Sequence, residues 1–318
     1  MKNKLCVPML SVFLCITLPA LASTVWAKDS NALPSPKVIK VTPQIYAILA
    51  PIELPNKSNQ GYMANSAAII GNKGVILIDT GFSHEIGLLL KKTIASITDK
   101  PITHVINTHD HGDHILGNIA FKDATIISSA KCQASMEKAG YEWLGILEGI
   151  TGLKFPNTKP VVSTQTYAEG TRTPVTLQGV ELEIWVPQGS HTANDLMVYL
   201  VKDQILIAGD ILVKTMIPSF RDAHVQNWIT TLEQIAAQPI ATIIPGHGGL
   251  MNIAEVKQLH QDMQALYAGI EAGYKKGLMD SEIRQTLDLS TWKKRKFFDE
   301  LMGGNINRTY LEVEAANF

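Results

Sequence analysis

Three histidines fall within six residues, in His109-Asp110-His111-Gly112-Asp113-His114. Imidazole and carboxylate at this density suit zinc or a similar first-row divalent ion. Composition alone would produce such a pattern in roughly 3 of 10,000 chains of this length. The segment follows the apolar run Ile102–Ile106, so it is expected in the turn at a buried strand's end. There the side chains one, three, five and six along can converge, and Gly112 permits the bend. These four donors suffice for one ion. Three more positions argue for a second: His191 in Gly189-Ser190-His191-Thr192, Asp210 after Ile205–Ala208 and Gly209, and His247 in Pro245-Gly246-His247-Gly248. Each lies at the end of an apolar strand beside a glycine, where active-site groups collect in layered folds of strands and helices.

The elements that must position them read as strands with interleaved helices. Strands are predicted at 38–43, 45–49, 64–70, 75–78, 102–106, 125–128, 175–177, 180–186, 197–200, 205–208 and 240–244, with a hairpin turn at Gly71-Asn72-Lys73-Gly74. Apolar spacing predicts helices at 86–97, 129–139 and 225–237, and one starting near Asp113. Beyond residue 250, Val256, Leu259, Met263, Leu266, Tyr267 and Ile270 form a helical stripe. Asp280 or Ser281 is placed to cap a next helix, and 292–301 and 308–315 read as two more. This is an α+β pattern with mixed sheets covered by helices. The C-terminal stretch, 251–318, is expected to pack on a catalytic domain spanning 28–250.

With these residues in order, the chain resembles the metallo-β-lactamase superfamily over about 62–250. The resemblance rests on Ile78-Asp79-Thr80-Gly81, the His109–His114 cluster, His191, Ala208-Gly209-Asp210 and Pro245-Gly246-His247-Gly248. It implies an αββα sandwich with a metal site at one edge between two sheets. It implies that His109, His111 and His191 hold one zinc, that Asp113, His114 and His247 hold a second, and that Asp210 bridges them. Asp79 would orient ligands without binding metal. Val105-Ile106-Asn107-Thr108-His109 and Gly189–Leu196 look like the secreted lactamase branch. Against a lactamase with a cysteine ligand, His114 stands where that class has an arginine, and Asp210 where it has the cysteine. Lys214 comes one position late for a lysine that grips a β-lactam carboxylate, and on a strand that shift turns it to the other face. The tail Asn305-Ile306-Asn307-Arg308-Thr309-Tyr310-Leu311-Glu312-Val313-Glu314 resembles exported hydrolases linked to sulfur-oxidation and quinoprotein-relay operons. Glyoxalase II shares the metal set but is usually intracellular.

The implied chemistry is hydrolysis of an ester, thioester, lactone or lactam of a small-molecule substrate, by a hydroxide bridging two zinc ions. Iron or manganese are alternative occupants. Asp113 would orient the hydroxide and shuttle its proton. Alternatives of other kinds are a β-lactamase proper, a mononuclear iron enzyme oxidising persulfides, and a metal-binding relay protein without turnover. His84, His104, His224 and His260 read as structural, Asn194 and Asp195 as fixing the loop after His191, and Asp110 as solvated or supporting. Tyr62, Met63 and Trp143 are candidates for the pocket wall.

A net charge of −1, with 28 basic and 29 acidic residues, excludes a nucleic-acid footprint. Lys293-Lys294-Arg295-Lys296 reads as a solvated helix face. Residues 1–27 run from Lys2 and Lys4 through an apolar stretch to small-residue sites, the order of a secretory signal peptide cleaved after Ala22 or Ala27. Cleavage would remove Cys6 and Cys15, leave Cys132 as the single thiol, and leave no membrane span. The expected location is the periplasm.

Overall fold

Alternation along the strands decides the architecture. In Ile45–Leu49, residues 45, 47 and 49 pack into one core, while 48 packs into another. The same split recurs at Ile76 and Ile78 against Val75 and Leu77, and at Val198 and Leu200 against Met197 and Tyr199. A strand with apolar residues on both faces needs cover on both. Two such sheets therefore face each other and carry helices on their outer sides.

The structure is a computed structural model and describes Met1 and residues 32–317. The signal-peptide reading of 1–27 lies outside those residues but for Met1. Leu33–Phe318 form one compact unit. Its first sheet has seven strands in chain order: β1 (Lys37–Lys40), β2 (Ile45–Leu49), β3 (Ser66–Ile70), β4 (Val75–Ile78), β5 (Ile102–Ile106), β6 (Thr125–Ser129) and β7 (Gln165–Tyr167). The first four pair antiparallel and β4 to β7 pair parallel. The second sheet has five: β8 (Thr171–Leu177), β9 (Val180–Val186), β10 (Met197–Leu200), β11 (Ile205–Val213) and β12 (Thr242–His247), antiparallel except for the β11–β12 pair.

Ile45, Ile69, Ile76, Ile78 and Ile106 from the first sheet meet Leu182, Ile184, Val198, Ile207 and Ile244 from the second. Each such buried side chain contributes about 1.5–3 kcal/mol. Polar chemistry is thereby confined to the sandwich edge. Helices α1 (His84–Ala95) and α3 (Ala130–Thr151) cover the first sheet through Ile86, Leu90, Met136 and Leu147. Between them lies the single turn α2 (Gly112–Ile115). Helix α4 (Val225–Ala236), α5 (Ile253–Tyr274) and α7 (Phe298–Ala316) cover the second through Trp228, Leu232, Met263, Ile306 and Val313, with the short α6 (Asp280–Ile283) between α5 and α7.

Several local expectations change: the helix expected at 129–139 runs on to Thr151, the strand expected at 175–177 begins at Thr171, and Met279, not Asp280 or Ser281, stands at the N-cap of α6. Asp210 lies inside β11, which continues through a bulge at Gly209 (φ +53°) to Val213. The stretches 292–301 and 308–315 are not two helices: a 3-10 turn covers Trp292–Lys294, and α7 then runs unbroken through Gly303-Gly304. Strand β7 was not foreseen. No helix of the described residues is long and apolar enough to cross a membrane.

Candidate metal centre

The carboxyl ends of β4, β5, β9, β11 and β12 reach one edge of the sandwich and bring Asp79, the 109–114 turn, His191, Asp210 and His247 together. Asn65, just before β3, ties this edge. Its amide donates to the carbonyls of Pro245 and Gly248, both at 2.9 Å, and its Oδ1 accepts from the Ala50 N–H at 3.0 Å. Gly246 is required beside it: a Cβ there would stand 1.9 Å from Asp210 Oδ1. Gly209 likewise lets Thr108 pass, since its Cβ would meet Thr108 at 2.6 Å.

Five histidines crowd this edge, and each turns one ring nitrogen outward onto an acceptor. His191 Nδ1 meets Ser219 O at 3.1 Å, and His247 Nδ1 meets Met63 O at 2.9 Å. His114 Nδ1 meets Asp79 Oδ2 at 2.8 Å. His111 Nε2 meets Asp222 Oδ2 at 3.0 Å. His109 Nδ1 meets Thr108 Oγ1 at 3.0 Å, and that hydroxyl donates onward to Asp79 Oδ2 at 2.8 Å. An imidazole that donates outward has a lone pair on its other nitrogen, which is how proteins orient metal-binding histidines. Asp79 adopts φ +58°, an uncommon conformation for a non-glycine residue. The Thr108 N–H, also donating to it at 2.8 Å, helps hold it there.

The inward atoms form two groups. His109, His111, His191 and Asp210 make one, and Asp113, His114 and His247 the other, with donor atoms in each lying within 4.8 Å of one another. Asp210 faces both, with Oδ2 at 3.6 Å from His191 Nε2 and 3.2 Å from His247 Nε2. A cation fits this donor set. His109 Nε2 is buried with no hydrogen-bond partner, and His114 Nε2 and Asp210 Oδ1 face each other at 3.3 Å without forming a hydrogen bond; buried polar atoms rarely stay unpaired. Every residue singled out as a candidate ligand is present in the two groups, and Asp79 touches ligands without joining either.

Protonation follows burial and charge. Burial pulls His191 down to about 3 and His109 well below its usual range. Burial also opposes charge on His114 and His247. Asp210 and Asp113 overcome it, with Asp79 adding to the pull on His114, lifting His114 well above its usual value and His247 to about 10. Burial opposes charge on Asp210 too, but His247 and His114 hold it well below the carboxylate range. At neutral pH the metal-free protein thus carries protons on His114 and His247, and a metal must displace them. Metal affinity should fall as pH drops below about 10, and loading at pH 7 should release about two protons. Calorimetry in buffers of different ionisation enthalpy reads that number; release below one proton would contradict it.

Other expectations find their places. Asp195 accepts from Thr192 N and Oγ1 at 2.9 and 2.8 Å and so closes the loop after His191; burial raises it to about 7. Asp110 accepts from Ser135 Oγ at 2.5 Å, as a support outside the ligand groups. Trp143 walls the site, its ring 4.9 Å from that of His111. Lys214 is turned away: its Nζ holds Leu250 O at 2.7 Å and Glu255 at 2.8 Å. Tyr62 is buried in the core of the first sheet, and Met63 contributes its carbonyl. Sequence reasoning did not find Asp222, Ser219 or Arg221, all in the loop between β11 and α4. Of the 218–227 loop, the sequence offers only His224 as a residue placed to touch substrate. Arg221 lies over the Trp143 ring at 4.7 Å.

Residues 60–247 match the family described as the metallo-beta-lactamase superfamily. The chain belongs to this superfamily. A "Metallo-beta-lactamase type 2" from Bacillus sp. (strain 170) is 30% identical over 205 residues, covering 62% of this chain and 71% of the relative. A "Linear primary-alkylsulfatase" from Pseudomonas sp. is 23% identical over 261 residues, 68% of this chain but 48% of that one. Among solved structures, a metallo-beta-lactamase from Pontibacter korlensis superposes with a TM-score of 0.56 at 19% identity, over 72% of this chain and 99% of that one. The metallo-β-lactamase fold, with two mixed sheets flanked by helices, is therefore established, as is membership among metal-dependent hydrolases.

Proposed function

We propose that the chain is a binuclear zinc hydrolase that opens an ester, thioester, lactone or lactam. The observation that carries this reading is the pair of donor groups, seven inward-facing residues whose histidines are each held from outside. His109, His111 and His191 would hold one zinc, and Asp113, His114 and His247 the other, with Asp210 between them. Bound there, two zinc ions would supply a hydroxide at neutral pH and polarise a carbonyl oxygen. The chain's own groups do the rest. Asp113, whose Oδ2 stands 3.3 Å from His247 Nε2, would take the proton of the attacking water and pass it to the leaving group. Burial of the five imidazoles keeps bulk water from their inward nitrogens. Asp79 and Asp222 hold tautomers.

The mouth carries a cation. Arg221 has a side chain 57% exposed, stacks on Trp143 and has Asp222 as its ion partner at 3.7 Å. An anionic group on the substrate fits its guanidinium fork. The ratio of kcat/KM for mono(4-nitrophenyl) glutarate over 4-nitrophenyl butyrate should fall about tenfold or more in Arg221→Gln, since charged hydrogen bonds contribute about 1.5–3 kcal/mol. An unchanged ratio would remove Arg221 from recognition.

The relatives' names include β-lactams and alkyl sulfates among what this superfamily hydrolyses. A lactam lies within the proposed bond class. Lys214 being engaged with Leu250 and Glu255 argues for a substrate gripped otherwise than by that lysine. The tail's resemblance to exported sulfur-oxidation-linked hydrolases and the N-terminal signal pattern support a periplasmic enzyme of that branch. Metal content together with turnover of a chromogenic cephalosporin, a lactone and a thioester tests the function; signal cleavage is tested by the N-terminal sequence of the exported protein.

A further inference from the structure

The C-terminal motif Asn305–Glu314 has no place in the ligand set, yet its polar residues share one face of α7. Asn305, Arg308 and Glu312 stand at i, i+3 and i+7, which a helix places along one stripe. Asn305 and Arg308 spend their hydrogen bonds on the backbone of the loop between β11 and α4, and Glu312 on the first turn of α4 just after it. Asn305 Oδ1 accepts from Phe220 N at 2.9 Å, and its Nδ2 donates to Pro218 O at 2.8 Å. Arg308 donates to Ala223 O twice, from Nε at 3.0 Å and from Nη2 at 2.7 Å. Glu312 accepts from Val225 N and Gln226 N, both at 2.8 Å.

The residues clamped in this way bracket two that hold metal-binding histidines. Ser219, between Pro218 and Phe220, offers its carbonyl to His191. Asp222, between Phe220 and Ala223, holds His111. Both histidines belong to the same donor group, that of His109, His111, His191 and Asp210. The rings of His114 and His247 are held elsewhere, His114 on Asp79 and His247 on Met63, and the loop meets His247 at its backbone carbonyl, from Lys214 N at 3.0 Å. Asp79 supports one histidine of each group, His114 directly and His109 through Thr108, whereas the loop carrying Ser219 and Asp222 supports His111 and His191 of one group.

We propose that Asn305, Arg308 and Glu312 are positioning residues for one metal site of the pair. Through the loop that ends at His224 and the first turn of α4 they set the orientation of His111 and His191, while His114 and His247 keep their supports on Asp79 and Met63. The proposal rests on the two-site reading above. It gives the C-terminal helix a role beyond covering the second sheet, and it makes occupancy of one site dependent on a segment outside the 60–247 family match.

The test is zinc titration of the full chain against a chromogenic chelator, resolving two affinities, with cobalt substitution to follow the ligand field of each site. Arg308→Ala and Glu312→Ala should weaken one of the two affinities by about 10–100-fold, the usual effect of removing a ligand's outer support, and hold the other within about threefold. Arg308→Lys should restore part of the loss, since one donor remains where two stood. Asn307→Ala serves as control. Its side chain faces Asp280 at 2.9 Å, away from the loop, so it loosens α7 without touching the bracket. Thermal unfolding of each variant separates loss of fold from loss of a site. Two wild-type affinities in folded Arg308→Ala and Glu312→Ala would overturn the proposal, as would parallel loss of both sites or an equal effect of Asn307→Ala. Fewer than two sites in the wild type would instead overturn the binuclear reading.

Discussion

Asp210→Ala should reduce zinc binding from two ions per chain to one or fewer and lower kcat/KM by about a thousandfold or more. Asp210 faces both donor groups, at 3.2 Å from His247, 3.3 Å from His114 and 3.6 Å from His191. It brings negative charge to a place where five imidazoles converge. On the proposed binuclear reading, its removal would deprive both ions of a neutralising ligand. A metal supplies several kcal/mol of transition-state stabilisation, and each 1.36 kcal/mol is tenfold in rate, which gives on the order of 10³. Asp210→Cys should retain more metal than Asp210→Ala, because a thiolate also binds zinc. Metal analysis and steady-state kinetics on the same preparations check both. Full activity of Asp210→Ala would show that the second carboxylate, Asp113, suffices.

Asp79→Ala should damage both the fold and the centre. The Asp79 carboxylate accepts three hydrogen bonds at 2.8 Å, from Thr108 N, Thr108 Oγ1 and His114 Nδ1. Each buried donor left unpaired costs about 1–3 kcal/mol, so a loss of about 3–5 kcal/mol in unfolding free energy is expected. Alanine also lacks the side-chain hydrogen bonds that favour the left-handed backbone found at this position. Metal affinity should drop about 10–100-fold at each site, because Asp79 orients His114 directly and His109 through Thr108, one ligand in each group. Denaturant unfolding of the metal-free protein isolates the first effect, and chelator competition the second. Wild-type stability with wild-type affinity would mean that these contacts are spectators.

Most of the donor set was legible because its chemistry is local. His109 to His114 are close in the chain, and the remaining donors stand near the ends of apolar strands beside glycines that the strand-end pattern exposes. Of the outer supports, Asp79 was legible through the resemblance and the others were not. Two are backbone carbonyls, of Ser219 and Met63, and a carbonyl has no residue signature. Asp222 lies 111 residues from His111, in a loop whose path depends on the C-terminal helix. That helix itself reads as broken because Gly303-Gly304 weakens local propensity. Burial of Met302, Ile306, Tyr310 and Val313 carries it through. Strand β7 was missed because its three residues, Gln165–Tyr167, show no apolar alternation and are held by pairing with β6. Asp210 was placed after its strand because Gly209 reads as a terminator. The bulge there instead bends β11 so that Asp210 reaches His114 and His247.

The most direct test is metal content of the protein purified without added metal, with hydrolysis of a chromogenic cephalosporin, a lactone and a thioester measured on the same sample. Close to two zinc ions per chain, with turnover of at least one substrate that chelation abolishes and zinc restores, is the predicted result. One iron per chain with no hydrolysis of any of the three would contradict a binuclear hydrolase and assign the site to oxygen-dependent sulfur chemistry.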